Sequence, residues 1–135
     1  MTKRERQPHV LLIEDEEGLL EILEINFRSA GYRVTGAADG LTAWREFDAA
    51  HPDLLVLDLN LPQMSGFRLL ELVRSESDVP ILILTAYDFA EAEEVARYRP
   101  DLYLKKPFDV EILIREANRL IGREPASGRA NRRTG

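Results

Sequence analysis

Side chains that could do chemistry directly follow four of the apolar runs in the chain. They are three carboxylates, one hydroxyl and two amines, namely Glu14, Asp15, Asp58, Thr85, Lys105 and Lys106. Carboxylates that are crowded together repel one another and raise one another's pKa unless a cation lies among them. Oxygen ligands with no histidine or cysteine nearby are typical of a Mg²⁺ site, in which the ion keeps several of its waters. If these side chains meet in the fold, the sequence predicts a Mg²⁺ site with Asp58 as its reactive carboxylate.

Five short runs of branched apolar residues supply the strands that such a site requires. They begin at Val10, Val34, Leu54, Ile81 and Leu102. The intervals between them are too long for hairpins and suit crossover helices, and runs without polar alternation are typical of a parallel sheet covered on both faces. The sequence therefore predicts a single α/β domain in which a strand and a helix alternate five times.

Helical periodicity fills the gaps between these runs. The clearest case runs from Leu20 to Ala30 along one face, and Gly31 supplies a stop at its carboxyl end. Further helices are predicted in the segments GLTAWREFDAA, GFRLLELVR and FAEAEEVARYR, and from Val110 to Ile121. In an open parallel sheet the functional crevice lies at the carboxyl ends of the strands, where all the candidate side chains would converge.

Composition excludes several classes of protein. A chain of 135 residues fits one domain, and the absence of cysteine excludes disulfide scaffolds, thiol nucleophiles and zinc–thiolate sites. No apolar run approaches the length of a membrane span and no signal-peptide pattern opens the chain, so we expect a cytoplasmic protein with no membrane partner. The only histidines, His9 and His51, are predicted to have ordinary surface roles, which argues against a Ser-His-acid hydrolase.

Charge is distributed unevenly along the chain. The formal net charge is -6, although basic side chains are concentrated near both ends. The body between them is therefore more acidic than the net charge suggests, which disfavours direct binding of nucleic acid. We predict a flexible basic arm over residues 1–8, a folded domain over 9–121 and a disordered tail or linker over 122–135.

Four motifs occur in order along the chain: the acid pair at Glu14, DLNLPQMSG around Asp58, LTA around Thr85 and KPF from Lys106. With these motifs at similar spacing, the chain from about His9 to Ile121 resembles the receiver domain of two-component response regulators, the CheY-like superfamily. The resemblance implies a flavodoxin-like (βα)5 fold with strand order 2-1-3-4-5.

The same resemblance implies a function. Asp58 would accept a phosphoryl group, in a Mg²⁺-dependent reaction, from a sensor histidine kinase or a histidine phosphotransfer protein. The protein would catalyse its own phosphorylation and slow autodephosphorylation and would not be a turnover enzyme. Phosphorylation would switch an output surface that an unknown downstream protein target reads.

The resemblance also implies a metal site built from the acidic residues and one backbone carbonyl. Asp15, Asp58 and the carbonyl of Asn60 would bind Mg²⁺ directly, and Glu14 would act through a water molecule. Asn60 and Tyr87 would flank the path of the water that hydrolyses the acyl phosphate. If the ring of Tyr87 covers the acyl phosphate it would exclude that water, so we expect a longer-lived phosphorylated state than in fast chemotaxis-type receivers.

Three further residues are implied to contact the phosphoryl group or to respond to it. Thr85 would donate a hydrogen bond to the phosphoryl group and would shift together with Tyr103, the aromatic residue of the switch. Lys106 would pair with the phosphoryl group, and its bond to Pro107 would be cis. Lys105 is predicted to face solvent, because side chains alternate along a strand.

Two departures from the family pattern concern the output of the domain. Arg99 and Pro100 replace the usual small pair ahead of the fifth strand, so we expect the helix before that strand to end abnormally. The winged-helix class of regulators carries an acid and an arginine where this chain has Ile112 and Glu116. That difference favours a stand-alone or phosphorelay receiver over the receiver of a winged-helix regulator.

Several other functions are compatible with parts of the sequence, and single features argue against some of them. A degenerate receiver that only binds proteins, or the N-terminal receiver of a DNA-binding transcriptional regulator, would carry the same motifs. A dehalogenase-like phosphatase would need an aspartate in place of Asn60. A nucleotide-binding domain would need a glycine-rich or hydroxyl-rich loop where EDEEG stands, and those acids would repel phosphate.

Overall fold

The described residues form five strands and four helices. The computed structural model describes residues 7–62, 64–86 and 96–122. The strands are β1 (His9–Ile13), β2 (Arg33–Ala37), β3 (Leu54–Leu57), β4 (Ile81–Thr85) and β5 (Leu102–Lys105). The helices are α1 (Glu17–Ser29), α2 (Gly40–Ala50), α3 (Gly66–Glu76) and α4 (Val110–Leu120). Most of the helix predicted in FAEAEEVARYR lies outside the described residues, and no helix within them is long and apolar enough to cross a membrane.

The sheet is parallel throughout, and its strands lie in the order β2-β1-β3-β4-β5. This order confirms the predicted α/β fold and its topology. The register aligns Ile13 of β1 with Leu57 of β3, and Thr85 of β4 with Lys105 of β5. The strands that precede the candidate side chains therefore end at matching levels along one edge of the sheet.

Apolar side chains pack against both faces of the sheet. Helices α2 and α3 cover the face that carries Leu11 and Leu57, and helices α1 and α4 cover the face that carries Leu12 and Val56. Every residue of β1, β3 and β4 is buried. Full burial of a leucine or isoleucine contributes about 1.5–3 kcal/mol, so these three strands form a rigid base for the residues at their ends.

Single residues set the helix ends. At the start of α2, the side chain of Asp39 accepts a hydrogen bond from the backbone N–H of Thr42 at 2.7 Å. At the start of α3, the hydroxyl of Ser65 accepts one from the backbone N–H of Arg68 at 3.2 Å. Such N-caps are each worth about 1 kcal/mol. Gly31 follows α1 with a φ of 96°, which is the left-handed conformation expected of the predicted stop.

His9 corrects one prediction from the sequence. It is the first residue of β1 and is only 6% exposed. Its Nε2 lies 2.8 Å from the hydroxyl of Thr35, and its backbone N–H donates to Oδ2 of Asp53 at 2.8 Å. The predicted surface role was wrong because the strand begins one residue before the apolar run and neighbouring segments supply polar partners. His51 is exposed, as predicted.

The segment that leads into β5 has an unusual backbone. Arg99 has a φ of 52°, in the left-handed region that favours glycine, and its N–H donates to the carbonyl of Ala96 at 3.0 Å. Most of the helix predicted to end abnormally here lies outside the described residues, so its end stays a prediction. The side chain of Arg74 donates to the carbonyls of Tyr98, Val79 and Arg99 at 2.8, 2.7 and 3.0 Å. Arg74 therefore holds this segment against the end of α3 and the loop before β4.

Candidate functional site

Three carboxylates meet at the edge of the sheet where β1 and β3 end. One ligand oxygen from each of Glu14, Asp15 and Asp58 lies within 4.8 Å of the other two. Glu14 and Asp58 are 1% and 4% exposed, whereas Asp15 is exposed. The backbone N–H of Asp58 donates to the carbonyl of Ile13 at 2.9 Å, so the ladder between β1 and β3 fixes the separation of the acids. The fold thus brings together the acidic residues that were predicted to meet.

The ammonium group of Lys106 lies between two of these carboxylates. Its Nζ donates to Oδ2 of Asp58 at 3.0 Å and lies 3.0 Å from Oε1 of Glu14. Burial alone lowers the pKa of Lys106, but its hydrogen bond to Asp58, its close contact with Glu14 and the negative charges of both acids outweigh burial and raise that pKa above its ordinary value. The Lys106–Pro107 bond is cis and Lys105 is exposed, as predicted. Lys106 is therefore the cation of the site.

Glu14 is the most buried carboxylate of the cluster, and one of its oxygens lacks a hydrogen bond. Its Oε2 accepts from the backbone N–H of Glu16 at 3.1 Å. No described residue donates a hydrogen bond to Oε1, although Lys106 forms an ion pair with it. Burial raises the pKa of Glu14, and the Lys106 ammonium and the Glu16 N–H only partly oppose that effect. Three carboxylates that converge here, one of them buried with an oxygen that makes no hydrogen bond, form a set of hard oxygen ligands that fits a divalent cation such as Mg²⁺.

The cluster opens into a cleft of about 150 Å³ at the carboxyl ends of the strands. The residues that line it are Glu14, Asp15, Glu16, Asp58, Asn60, Thr85, Ala86 and Lys106. Thr85 is fully buried, and its carbonyl accepts from the backbone N–H of Lys106 at 2.8 Å. Glu16 and Ala86 were not predicted as lining residues. The acidic run after β1 was the available signal for Glu16, and the position directly after Thr85 was the signal for Ala86.

The other predicted residues take different positions. Asn60 is exposed and lines the cleft, and its backbone N–H donates to Oδ1 of Asp58 at 3.0 Å. Tyr103 is half-buried in β5 and packs against the core on the face covered by α2 and α3. Tyr87 lies outside the described residues. Neither His9 nor any other described histidine lines the cleft, so these residues offer no histidine base to it.

Comparison with known proteins agrees with this geometry. Residues 10–118 match the family model described as "Response regulator receiver domain". The chain is 30% identical to the receiver domain of the Francisella response regulator 1452, with a TM-score of 0.81 over 86% of this chain and 98% of that one.

Curated relatives are longer than this chain. The probable transcriptional regulator ycf27 of Porphyridium aerugineum is 41% identical over 100 residues, which are 73% of this chain and 42% of the relative. The DNA-binding dual master transcriptional regulator RpaA of Synechocystis is 34% identical over 121 residues, which are 86% of this chain and 50% of the relative. The chain therefore spans about half the length of the curated relatives that it matches.

Proposed function

The chain belongs to the response regulator receiver domain family, and on this premise we propose that phosphorylation of Asp58 controls its signalling. The observation that carries the proposal is the environment of Asp58, which is 4% exposed at a strand end with the ammonium of Lys106 3.0 Å from its Oδ2. Receiver domains accept phosphoryl groups and interact with histidine kinases. We therefore propose a phosphohistidine as the donor, carried by a sensor histidine kinase or a histidine phosphotransfer protein.

The proposed cofactor is Mg²⁺, held by Asp15, Asp58 and the backbone carbonyl of Asn60, with Glu14 acting through water. Bound there, the ion would neutralise the carboxylates and the oxygens of the incoming phosphoryl group. Two observations support this ligand set. The three carboxylates converge within 4.8 Å, and among the described residues the buried Oε1 of Glu14 has the ion pair with Lys106 and no hydrogen bond.

The side chains of the cleft account for the remaining chemistry of the transfer. One carboxylate oxygen of Asp58 attacks phosphorus, and the bond from phosphorus to the imidazole nitrogen of the donor breaks. The donor keeps the electron pair of that bond, and an acyl phosphate forms on the protein. Lys106 balances the charge on the phosphoryl oxygens, and the hydroxyl of Thr85 donates a hydrogen bond to them. Phosphoryl transfer depends on positioning and charge neutralisation, so these groups are a sufficient set.

The proposed output is a coupled shift of Thr85 and Tyr103 that changes the surface around β5. Moving a two-state equilibrium from 1:99 to 99:1 requires about 5.5 kcal/mol of differential interaction, so the downstream target must contribute by binding the switched surface. Amide shifts that stay confined to the acidic cleft after beryllofluoride addition would contradict a transmitted switch. We also propose slow autodephosphorylation, with a rate that Asn60 and Tyr87 adjust. A faster loss of the phosphoryl group from Tyr87→Ala than from the wild type would support the role of Tyr87.

A second candidate function concerns the whole protein, as the N-terminal receiver of a longer DNA-binding regulator. It is favoured because the chain spans only 42% and 50% of two relatives whose names describe transcriptional regulators. The residues Ile112 and Glu116 argue against the winged-helix class, but two positions weigh less than identity along 100 residues or more. In either case the acidic folded body, residues 9–121, is proposed to signal through proteins without binding nucleic acid itself.

Mass measurement after incubation with acetyl phosphate tests the proposed function. We expect a gain of one phosphoryl group in the presence of Mg²⁺ and no gain in excess chelator. Asp58→Asn should abolish the gain, whereas Asp48→Asn, an exposed aspartate on α2, should retain it. A gain that survives Asp58→Asn would contradict the proposal. A wild-type protein that gains nothing would instead favour a degenerate receiver that only binds proteins.

A further inference from the structure

The loop that follows Asp58 carries the backbone carbonyl proposed to bind Mg²⁺, and it rests on the first residue of α2. We propose that Gly40 positions this loop, here called the Asp58 loop and defined as residues 59–62 and 64–66. In this role the missing side chain of Gly40 sets the location of the Asn60 carbonyl and hence the affinity for the metal. The inference rests on the proposed function, because it assumes that the loop is part of a Mg²⁺ site.

The contact between Gly40 and the loop leaves no room for a side chain. Gly40 is buried, and its N–H donates to the carbonyl of Pro62 at 3.3 Å. A Cβ atom added to Gly40 would lie 2.6 Å from the Cβ and 2.9 Å from the carbonyl carbon of Met64, and closer still to the Met64 carbonyl oxygen. Two of these three atoms belong to the backbone, so a side-chain rotation alone cannot relieve the overlap. An alanine at this position would therefore displace the loop or the start of α2.

The start of α2 is held more firmly than a free helix end. The side chain of Asp39 accepts from both the N–H and the hydroxyl of Thr42, at 2.7 and 3.1 Å. Behind this cap, Ala43 and Phe47 are buried in the core. The overlap should therefore move the loop more than the helix.

One hydrogen bond joins the two ends of the loop and another links Met64 to Pro62, which directs such a movement towards the metal site. The N–H of Gly66 donates to the carbonyl of Leu59 at 3.0 Å, and the N–H of Met64 donates to the carbonyl of Pro62 at 2.8 Å. Leu59 is 1% exposed and lies between the two proposed metal ligands, Asp58 and Asn60. With Leu59 and Gly66 tied to each other, a push at Met64 is transmitted through its hydrogen bond to Pro62 and on to the exposed Asn60.

Mg²⁺ responds strongly to a displaced ligand because it demands near-ideal octahedral geometry. Changes in residues that only orient metal ligands typically weaken metal binding by about 10–100-fold. For Gly40→Ala we expect the dissociation constant for Mg²⁺ to rise about tenfold, at the lower end of that range. Saturating Mg²⁺ should restore phosphoryl uptake, since the substitution changes the affinity for the metal and leaves Asp58, Thr85 and Lys106 in place.

The experiment is a Mg²⁺ titration of the full chain, followed by backbone amide NMR, on the wild type and three variants. Gly18→Ala is the matched control, because Gly18 also lies in the first turn of a helix and its added Cβ would meet nothing within 4 Å. Asn118→Ala is the stability control, because it removes the buried hydrogen bond from Tyr32 at 2.7 Å without touching the loop. Only Gly40→Ala should weaken Mg²⁺ binding, and both controls should bind as the wild type does.

Unchanged affinity in Gly40→Ala, or an equal loss in Asn118→Ala, would overturn the inference. If Gly40→Ala does not fold, the Mg²⁺ titration of the wild type tests the inference. The amide signals of Gly40 and Met64 should then shift with the same midpoint as the amide signal of Asn60. Amide signals of Gly40 and Met64 that do not shift would overturn the inference. A wild type that binds no Mg²⁺ would instead overturn the proposed function. If the wild type binds Mg²⁺ and takes up a phosphoryl group, and Gly40→Ala binds Mg²⁺ with equal affinity, the positioning role of Gly40 is overturned and the proposed function stands.

Discussion

The Nζ atom of Lys106 donates a hydrogen bond to Oδ2 of Asp58 at 3.0 Å, although the two residues are 48 positions apart in the sequence. The parallel ladders create this contact, because Thr85 of β4 aligns with Lys105 of β5 and the next residue reaches across the strand ends. Lys106 also forms an ion pair with Glu14. One ammonium group therefore serves two buried carboxylates, and its removal should affect the chemistry of the site directly.

Replacement of Lys106 should slow phosphorylation. Removing a group that stabilises developing charge on transferred oxygens costs about 10²–10³-fold in rate at comparable sites, and we expect a decrease of about 10²-fold for Lys106→Ala. The rate is measured from the time course of mass gain with acetyl phosphate at saturating Mg²⁺. Lys105→Ala is the matched control, because Lys105 is the exposed residue directly before Lys106, at the end of β5. Equal rates for the two variants would contradict the proposed role of Lys106.

The buried imidazole of His9 should make stability depend on pH. Burial lowers the pKa of His9, the charge of Arg33 lowers it further, and Asp53 and Glu46 only partly oppose this shift from the ordinary value of 6.5. Among the described residues nothing hydrogen-bonds to its Nδ1. His9 therefore binds a proton more readily in the unfolded chain than in the folded one. The stability that the neutral His9 contributes is complete above its ordinary pKa and is lost as the pH falls below that value.

Urea unfolding across that pH range measures the effect. The free energy of unfolding of the wild type should fall between about pH 7.5 and pH 5.5, around the ordinary pKa of histidine. The fall should be smaller in His9→Leu. His51→Asn changes the exposed histidine and should keep the wild-type dependence. An identical pH dependence in His9→Leu would show that other groups cause it.

Arg74 should be essential for stability, unlike the other arginine on the same helix. Its side chain is only 7% exposed and donates to the carbonyls of Val79 and Tyr98. Arg74→Met removes the side-chain donor from these partly buried carbonyls, and we expect a loss of about 3 kcal/mol in the free energy of unfolding. Arg68→Met removes only an exposed ion pair with Glu71, worth at most about 1 kcal/mol. Similar unfolding midpoints in urea for the two variants would contradict this account.

Arg99→Gly should stabilise the protein. A residue other than glycine costs about 1–2 kcal/mol in the left-handed conformation, while glycine costs about 0.5–1 kcal/mol in added backbone entropy, so we expect a net gain of about 0.5–1 kcal/mol. The ion pair with Asp78 that is lost is highly exposed and contributes little. Arg97→Gly is the control, because Arg97 has no positive φ and should lose stability. Thermal unfolding measures both variants: the midpoint temperature should rise in Arg99→Gly and fall in Arg97→Gly.

The sequence predicts much of the fold and the site because short-range patterns determine both. Apolar runs such as VLLI and LLVL, separated by intervals that suit crossover helices, favour a parallel sheet covered on both faces, and the polar residues after them then meet at one edge. This reasoning placed Asp58 together with both Lys105 and Lys106, and side-chain alternation with the family resemblance then selected Lys106.

Contacts that depend on several distant segments could not be predicted in this way. In the sequence Arg74 looks like an ordinary charged helix residue, yet its role depends on carbonyls from the segments that lead into β4 and into β5. The close packing of Gly40 on Met64 leaves no pattern in either segment. His9 was misplaced because its partners, Thr35 and Asp53, come from other elements.

Chemical mapping of the phosphorylated residue tests the central claim most directly. Borohydride reduces an aspartyl phosphate to homoserine with release of phosphate, so the modified residue is marked permanently. After acetyl phosphate and borohydride treatment, the tryptic peptide 46–68 contains three candidates, Asp48, Asp53 and Asp58. We predict homoserine at position 58 only, in samples with Mg²⁺ and not in samples with chelator. Homoserine at another aspartate, or at position 58 regardless of Mg²⁺, would contradict the account.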